Sequence, residues 1–230
     1  MPHSEKEQPA KCAQCGIMTA KRACMIRDGK GSKNCPTHKC ENILTEANKE
    51  YDTADTLKFA HTASIQEADC YANRDQKPYI MQPTKTRMVE ICEFAEKMGY
   101  QRLGLAFCIG LAKEAGIVEQ ILVDRGFKVV SVLCKAGRTP KEMIGIKDKD
   151  KIYRGTDEAM CNPIFQAKLL NHSKTDFNIV LGLCVGHDSL FFQNSQAPAT
   201  VLAVKDRVTG HNPLAAIYLS DSYYRKIRHP

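Results

Sequence analysis

Three apolar runs of the chain end on a thiol: RLGLAFC at Cys108, KVVSVLC at Cys134 and FNIVLGLC at Cys184. A fourth thiol, Cys161, lies in EAMCNPIFQ, just ahead of a helical run. In open α/β sheets, ligands bind beyond the carboxyl ends of the strands. Neighbouring strands lie ~4.8 Å apart, so thiols at successive strand ends can converge. The loop before a helix reaches the same edge, and here Asn162 suits a cap and Pro163 a first helical turn. Cys108, Cys134, Cys161 and Cys184 are therefore expected at one rim of a sheet. Any one of them alone reads as a small buried hydrophobe; the repeated placement is what favours a site. Four thiolates suit an iron–sulfur cluster or zinc. Tetrahedral zinc needs sulfurs less than ~4 Å apart. Ligands drawn from separate strands and a helix start fit a larger object more easily, so a [4Fe–4S] cluster is preferred and zinc is the alternative.

A second group of thiols opens the chain. Cys12-x-x-Cys15 brings two sulfurs to one centre through a tight turn, and Cys24, Cys35 and Cys40 follow, with His38 between the last two. Five Cys within 29 residues point to metal. Cys12, Cys15, Cys24 and Cys35 are the preferred ligands, with Cys40 and His38 as substitutes. Zinc knuckle and iron–sulfur centre remain open here. Residues 1–40 also hold eight Lys or Arg against three acidic residues, much of the formal net charge of +7. Such charge would offset metal-bound thiolates. Without aromatic interleaving or a recognition motif it argues against nucleic acid. Cys70 and Cys92 lie in helical sequence without partner spacing and read as structural.

Polar groups flank the rim. His187 and Asp188 follow Cys184 in CVGHDS, in what reads as a loop, and VKDRVTGHNP brings Lys205, Asp206, Arg207 and His211. His187 could hydrogen-bond a cluster sulfur, relay protons or ligate metal; an ordinary loop histidine is an equal reading. Lys205 and Arg207 could clamp a small anionic substrate or neutralise a cluster. His187, Asp188, Lys205 and Arg207 are thus the catalytic candidates. A Cys nucleophile paired with His187 is conceivable, but four converging thiols are not needed for it. The sequence has no G-x-G-x-x-G, no G-x-x-x-x-G-K-[ST] and no G-x-S-x-G, which argues against nucleotide binding and serine hydrolysis.

The elements that must position these groups follow from periodicity. TRMVEICEFAEKMG sets Met88, Ile91, Phe94, Ala95 and Met98 on one helical face, with Gly99 as the stop. Strand RLGLAFC, helix IGLAKEAGIVEQILVDRG, strand KVVSVLC, helix PIFQAKLLNH, strand FNIVLGLC and strand ATVLAVKD follow in turn. This alternation predicts an α/β fold, a doubly wound and mostly parallel sheet covered on both faces. Residues 1–40 form a Cys-rich metal-binding segment, 41–84 a helical connector and 85–230 the α/β domain. With 230 residues, 43% hydrophobic and no apolar window near 18 residues, no membrane span is expected. MPHSEKEQPAKC lacks the apolar core of a secretory signal. A cytosolic protein is the expectation, and reducing surroundings favour metal-bound or catalytic Cys over disulfides.

The motifs CAQCG, GLAFCIGLAKEA, SVLCKAG, MCNPIFQAKLLN, GLCVGHDSLF and VKDRVTGHNPLAAIY together resemble an uncharacterised prokaryotic family frequent in anaerobes, domain of unknown function 1847, labelled predicted metal-binding protein. The resemblance spans most of residues 10–219. It implies metal binding and no particular reaction. The CNPIFQ stretch departs from the usual family form, which has Gly near Phe165, a difference that bears on local packing. The reading is an iron–sulfur protein of an anaerobe with two Cys-ligated centres and a redox role toward an electron-transfer partner or a small anionic substrate at the rim. A zinc-stabilised binding protein without redox chemistry is the alternative.

Overall fold

A computed structural model describes residues 9–230. The described residues divide into two compact units, with the boundary between Ser64 and Ile65. In the first, Cys12–Gln14 and Thr19–Lys21 form short 3-10 turns. Helix α1 (Pro36–Lys39) and helix α2 (Glu41–Lys49) follow. A 3-10 turn at Glu50–Asp52 separates α2 from helix α3 (Ala54–Asp69), so the helical connector contains two helices. The boundary between the units falls inside α3.

The second unit contains helix α4 (Arg87–Met98), strand β1 (Arg102–Phe107), helix α5 (Ala112–Asp124), strand β2 (Lys128–Leu133), helix α6 (Pro163–His172) and strand β3 (Phe177–Leu181). Helix α7 (His187–Asn194), strand β4 (Ala199–Ala203) and helix α8 (Pro213–Tyr218) complete it. Gly99 closes α4 in the left-handed region at φ 79°, as its place in the periodic pattern predicts. One element differs from the sequence reading. CVGHDSLF does not stay a loop: Gly186, at φ 83°, turns the chain directly into α7. Here β3 is followed by a helix whose first residue is His187.

The sheet is wholly parallel, in the order β2-β1-β3-β4. This is a doubly wound α/β arrangement, and the direction of winding reverses between β1 and β3. Leu105 pairs with Ser131 and Ile179, and Ala106 with Val132 and Val180. Successive side chains point to opposite faces. On one face Ala106, Val132 and Val180 pack with Ala167 and Leu170 of α6 and Phe191 of α7. On the other, Phe177 meets Phe94 of α4, with ring centroids 5.5 Å apart.

Asn178, fully buried in β3, is a polar exception in this core. Its amide donates to Ser195 Oγ at 2.9 Å, and its carbonyl accepts from Thr175 Oγ1 at 2.8 Å. A buried amide left without partners would cost stability, so these contacts fix its orientation. Gly104 on β1 makes room for it. A Cβ at Gly104 would collide with Asn178 Oδ1 and lie 2.8 Å from Leu170 Cδ1. Gly104→Ala should therefore destabilise the α/β unit by about 1–3 kcal/mol, the usual cost of overpacking. Urea denaturation checks this; an unchanged midpoint would show that α6 yields freely.

Candidate thiol site at the sheet rim

The register of the sheet continues one step past the strands. Cys134 N donates to Phe107 O at 2.9 Å, and Cys108 N donates to Leu181 O at 3.1 Å. Cys108 and Cys134 are thereby set side by side, on the face covered by α6 and α7. Gln166 of α6 is fully buried beneath them. Its Nε2 donates to Val132 O at 2.7 Å and Phe107 O at 3.2 Å, tying together the ends of β2 and β1. Sequence reasoning missed Gln166; the available signal was an amide on the largely apolar helical run PIFQAKLL.

Cys161 reaches the same place after an excursion of 26 residues from Cys134, which is closed by its own bonds. Asn162 N donates to Cys134 O at 2.8 Å, and Met160 N to Thr139 O at 2.7 Å. Lys141 pairs with buried Glu158 at 2.8 Å, and the Glu158 carboxylate accepts from Ile152 N and Tyr153 N. Asn162 caps α6, accepting from Phe165 N at 2.9 Å, with Pro163 next in the chain. The result is a Cys161 Sγ to Cys134 Sγ distance of 3.8 Å. Cys108 also hydrogen-bonds Cys134. Cys134 is thus the middle member of three thiols.

Cations surround them. The Lys205 ammonium hydrogen-bonds the Cys108 thiol. Arg207 Nη2 donates to Cys184 Sγ at 3.1 Å, and its charge also acts on Cys108 and Cys161. The His187 imidazole hydrogen-bonds Cys161, and the Lys135 charge acts on both. Lys135 was another residue missed; a cation directly after a strand-ending Cys was its signal. The thiols respond as a set. Hydrogen bonds from Cys134 foremost, then from Gly110 N and from Lys205, hold the Cys108 thiol below the ordinary thiol range. Cys134 first and His187 next hold Cys161 low. Cys134, between two such neighbours and buried, is pushed up and keeps its proton. The bond to Cys161 raises His187, and the bond to Cys184 raises Arg207.

The remaining candidates have quieter roles. Asp188 lies in the first turn of α7, where its carboxylate accepts from Ser189 N at 2.8 Å. Asp206 accepts from Val208 N and Thr209 N, and His211 Nδ1 lies 3.1 Å from Val204 O. These two residues shape the loop that presents Lys205 and Arg207. Cys70 and Cys92 are buried, and burial raises both thiols.

In the N-terminal unit, Cys15 N donates to Cys12 O at 3.2 Å, which closes the Cys-x-x-Cys turn. Gly31 brings Cys35 and His38 together: a Cβ there would lie 3.0 Å from Cys35 Sγ and collide with the His38 ring. Cys24 is exposed in a turn, and Cys40 joins α1 to α2. Among the described residues, no three His, Cys, Asp or Glu side chains surround a common point as a metal ion would require. Nor is any helix among them long and apolar enough to cross a membrane.

The family described as Protein of unknown function (DUF1847) matches residues 35–202, nearly three quarters of the chain. The chain belongs to this family. The matched span includes all four rim thiols and ends before Lys205 and Arg207. An uncharacterised relative from Methanocaldococcus jannaschii, MJ0455, is 42% identical over 216 residues, covering 94% of this chain and 96% of its own.

The excursion that delivers Cys161 should be acid-sensitive. Its Lys141 partner holds the Glu158 carboxyl below its ordinary range. A depressed folded-state pKa contributes stability above the unfolded value of about 4.3, and that contribution is lost as pH falls through the folded value. Amide exchange at Ile152 and Tyr153 should accelerate, relative to its intrinsic rate, as pH drops below about 4. Glu158→Gln should show faster exchange already at neutral pH and little further response to acid. Equal pH responses in the two proteins would contradict this role for Glu158.

Proposed function

We propose that the rim holds a redox-active iron–sulfur cluster through Cys108, Cys134, Cys161 and Cys184, and that the N-terminal thiols Cys12, Cys15, Cys24, Cys35 and Cys40 hold a second metal centre. The observation that carries this reading is the row Cys108, Cys134 and Cys161 at the carboxyl edge of the sheet beside Lys205, with Cys184 held by Arg207, whose charge also reaches Cys108 and Cys161. The donor set fits: sulfur ligands suit such clusters, and the cations would offset the charge of four thiolates. A bound cluster would supply one-electron transfer. The chain's own residues would fix the sulfurs, exclude water from Cys108 and Cys134, and present His187 as a hydrogen-bond partner. An electron-transfer partner or a small anionic substrate would then approach at Lys205 and Arg207.

A zinc site without redox chemistry is a second reading, and one distance favours it. The 3.8 Å between Cys134 and Cys161 matches the edge of a tetrahedron with ~2.3 Å Zn–S bonds. Anaerobic purification followed by iron, acid-labile sulfide and zinc analysis separates the two. The cluster reading expects a brown protein with iron and sulfide in equal amounts, reduced by Cys108→Ser with Cys184→Ser. Zinc without sulfide would replace it by the second reading, and absence of both would overturn the two together.

A further inference from the structure

The same thiols also support chemistry in the metal-free chain. Cys134 and Cys161 differ sharply in access. Cys134 is 2% exposed, whereas Cys161 is half-buried and open to the rim. Their sulfurs are 3.8 Å apart, and the bond from Asn162 N to Cys134 O holds their backbones adjacent. A disulfide requires S–S of about 2.05 Å and closely spaced Cα atoms, so small side-chain rotations would suffice to join them. Cys184 is engaged by Arg207, and Cys108 is 7% exposed.

We propose that Cys161 and Cys134 are the attacking and resolving thiols of a dithiol that reduces small anionic disulfides. The Cys161 sulfur attacks one sulfur of a disulfide R–S–S–R. That S–S bond breaks, and the first R–S leaves as a thiol with the Cys161 proton. Cys161 is left in a mixed disulfide with the second R–S. The Cys134 sulfur then attacks Cys161 Sγ, and the second R–S leaves with the Cys134 proton. Two electrons pass from the pair to the substrate: one disulfide becomes two thiols, and a Cys134–Cys161 disulfide forms. Access sets the order, because only Cys161 of the two can meet a bulky disulfide. Lys135, Lys205 and Arg207 set the substrate class, because their charges favour an anionic approach. This activity does not depend on which metal the rim takes, since it belongs to the chain without one.

The test uses the full-length chain, chelated and reduced under argon, after its metal content has been measured. Oxidised glutathione serves as the anionic probe and cystamine as the cationic one. After reaction, trypsin should yield a cross-linked pair of peptides, Val129–Lys135 with Gly155–Lys168, predicted from the Lys and Arg positions. Cys134→Ser should accumulate a glutathione adduct on Cys161. Cys161→Ser should lose both the cross-link and any adduct on Cys134. Glutathione should react faster than cystamine, and added salt should narrow the difference. A cross-link to Cys108 or Cys184 instead, or no cross-link in the unsubstituted chain, would overturn the assignment even if both variants misfold. Faster reaction with cystamine would overturn the substrate class. The metal analysis, made on the same sample before chelation, reports separately on the metal reading.

Discussion

Parallel pairing of β1 with both β2 and β3 is the constraint from which the rim follows. Because the register runs on through Cys134 N to Phe107 O and Cys108 N to Leu181 O, two thiols from distant sequence come to lie side by side. A register shift by one residue would turn every side chain to the opposite face. It would bury Phe107 and Leu133 under α6 and carry the thiols away. Gln166 reinforces the alignment by bonding Phe107 O, the last carbonyl of β1, and Val132 O, one residue before the end of β2. The β1/β3 junction, where the winding reverses, is also where α/β sheets open a crevice.

Electrostatics completes what the register begins. Thiols packed together compete for protons, and the Lys205 and Arg207 cations together with the His187 imidazole stabilise charge on the outer members while Cys134 keeps its proton. None of these groups lies on the strands that carry Cys108 and Cys134. They come from the start of α7 and from the loop shaped by Asp206 and His211. Sulfur and positive charge are thus brought together only in the folded chain. The same arrangement suits metal thiolates and, without metal, thiol–disulfide exchange.

Much of this was legible in sequence because the signals were local. The apolar runs ending at Cys108, Cys134 and Cys184 gave the strands, and Asn162-Pro163 gave the start of α6. Gly99 marked the end of α4 through a conformation that glycine adopts easily. The helix at His187 was not legible, since HDSLFFQN is short and weakly patterned and follows a glycine that also reads as loop. Gln166 and Lys135 were missed for a different reason. Their roles depend on carbonyls and thiols that only the long-range pairing brings near, and no spacing within the chain encodes those partners. The return of Cys161 to Cys134 rests likewise on Glu158 and Lys141, in a stretch without periodicity.

The claim that the four rim thiols share one centre is tested most directly by X-ray absorption at the metal edge. The protein to use carries Ser at Cys12, Cys15, Cys24, Cys35 and Cys40, so that only the rim contributes. The account predicts a first shell made of sulfur alone, with an iron–iron scattering shell behind it. A shell dominated by oxygen or nitrogen, or a protein that binds no metal once the N-terminal thiols are gone, would contradict it.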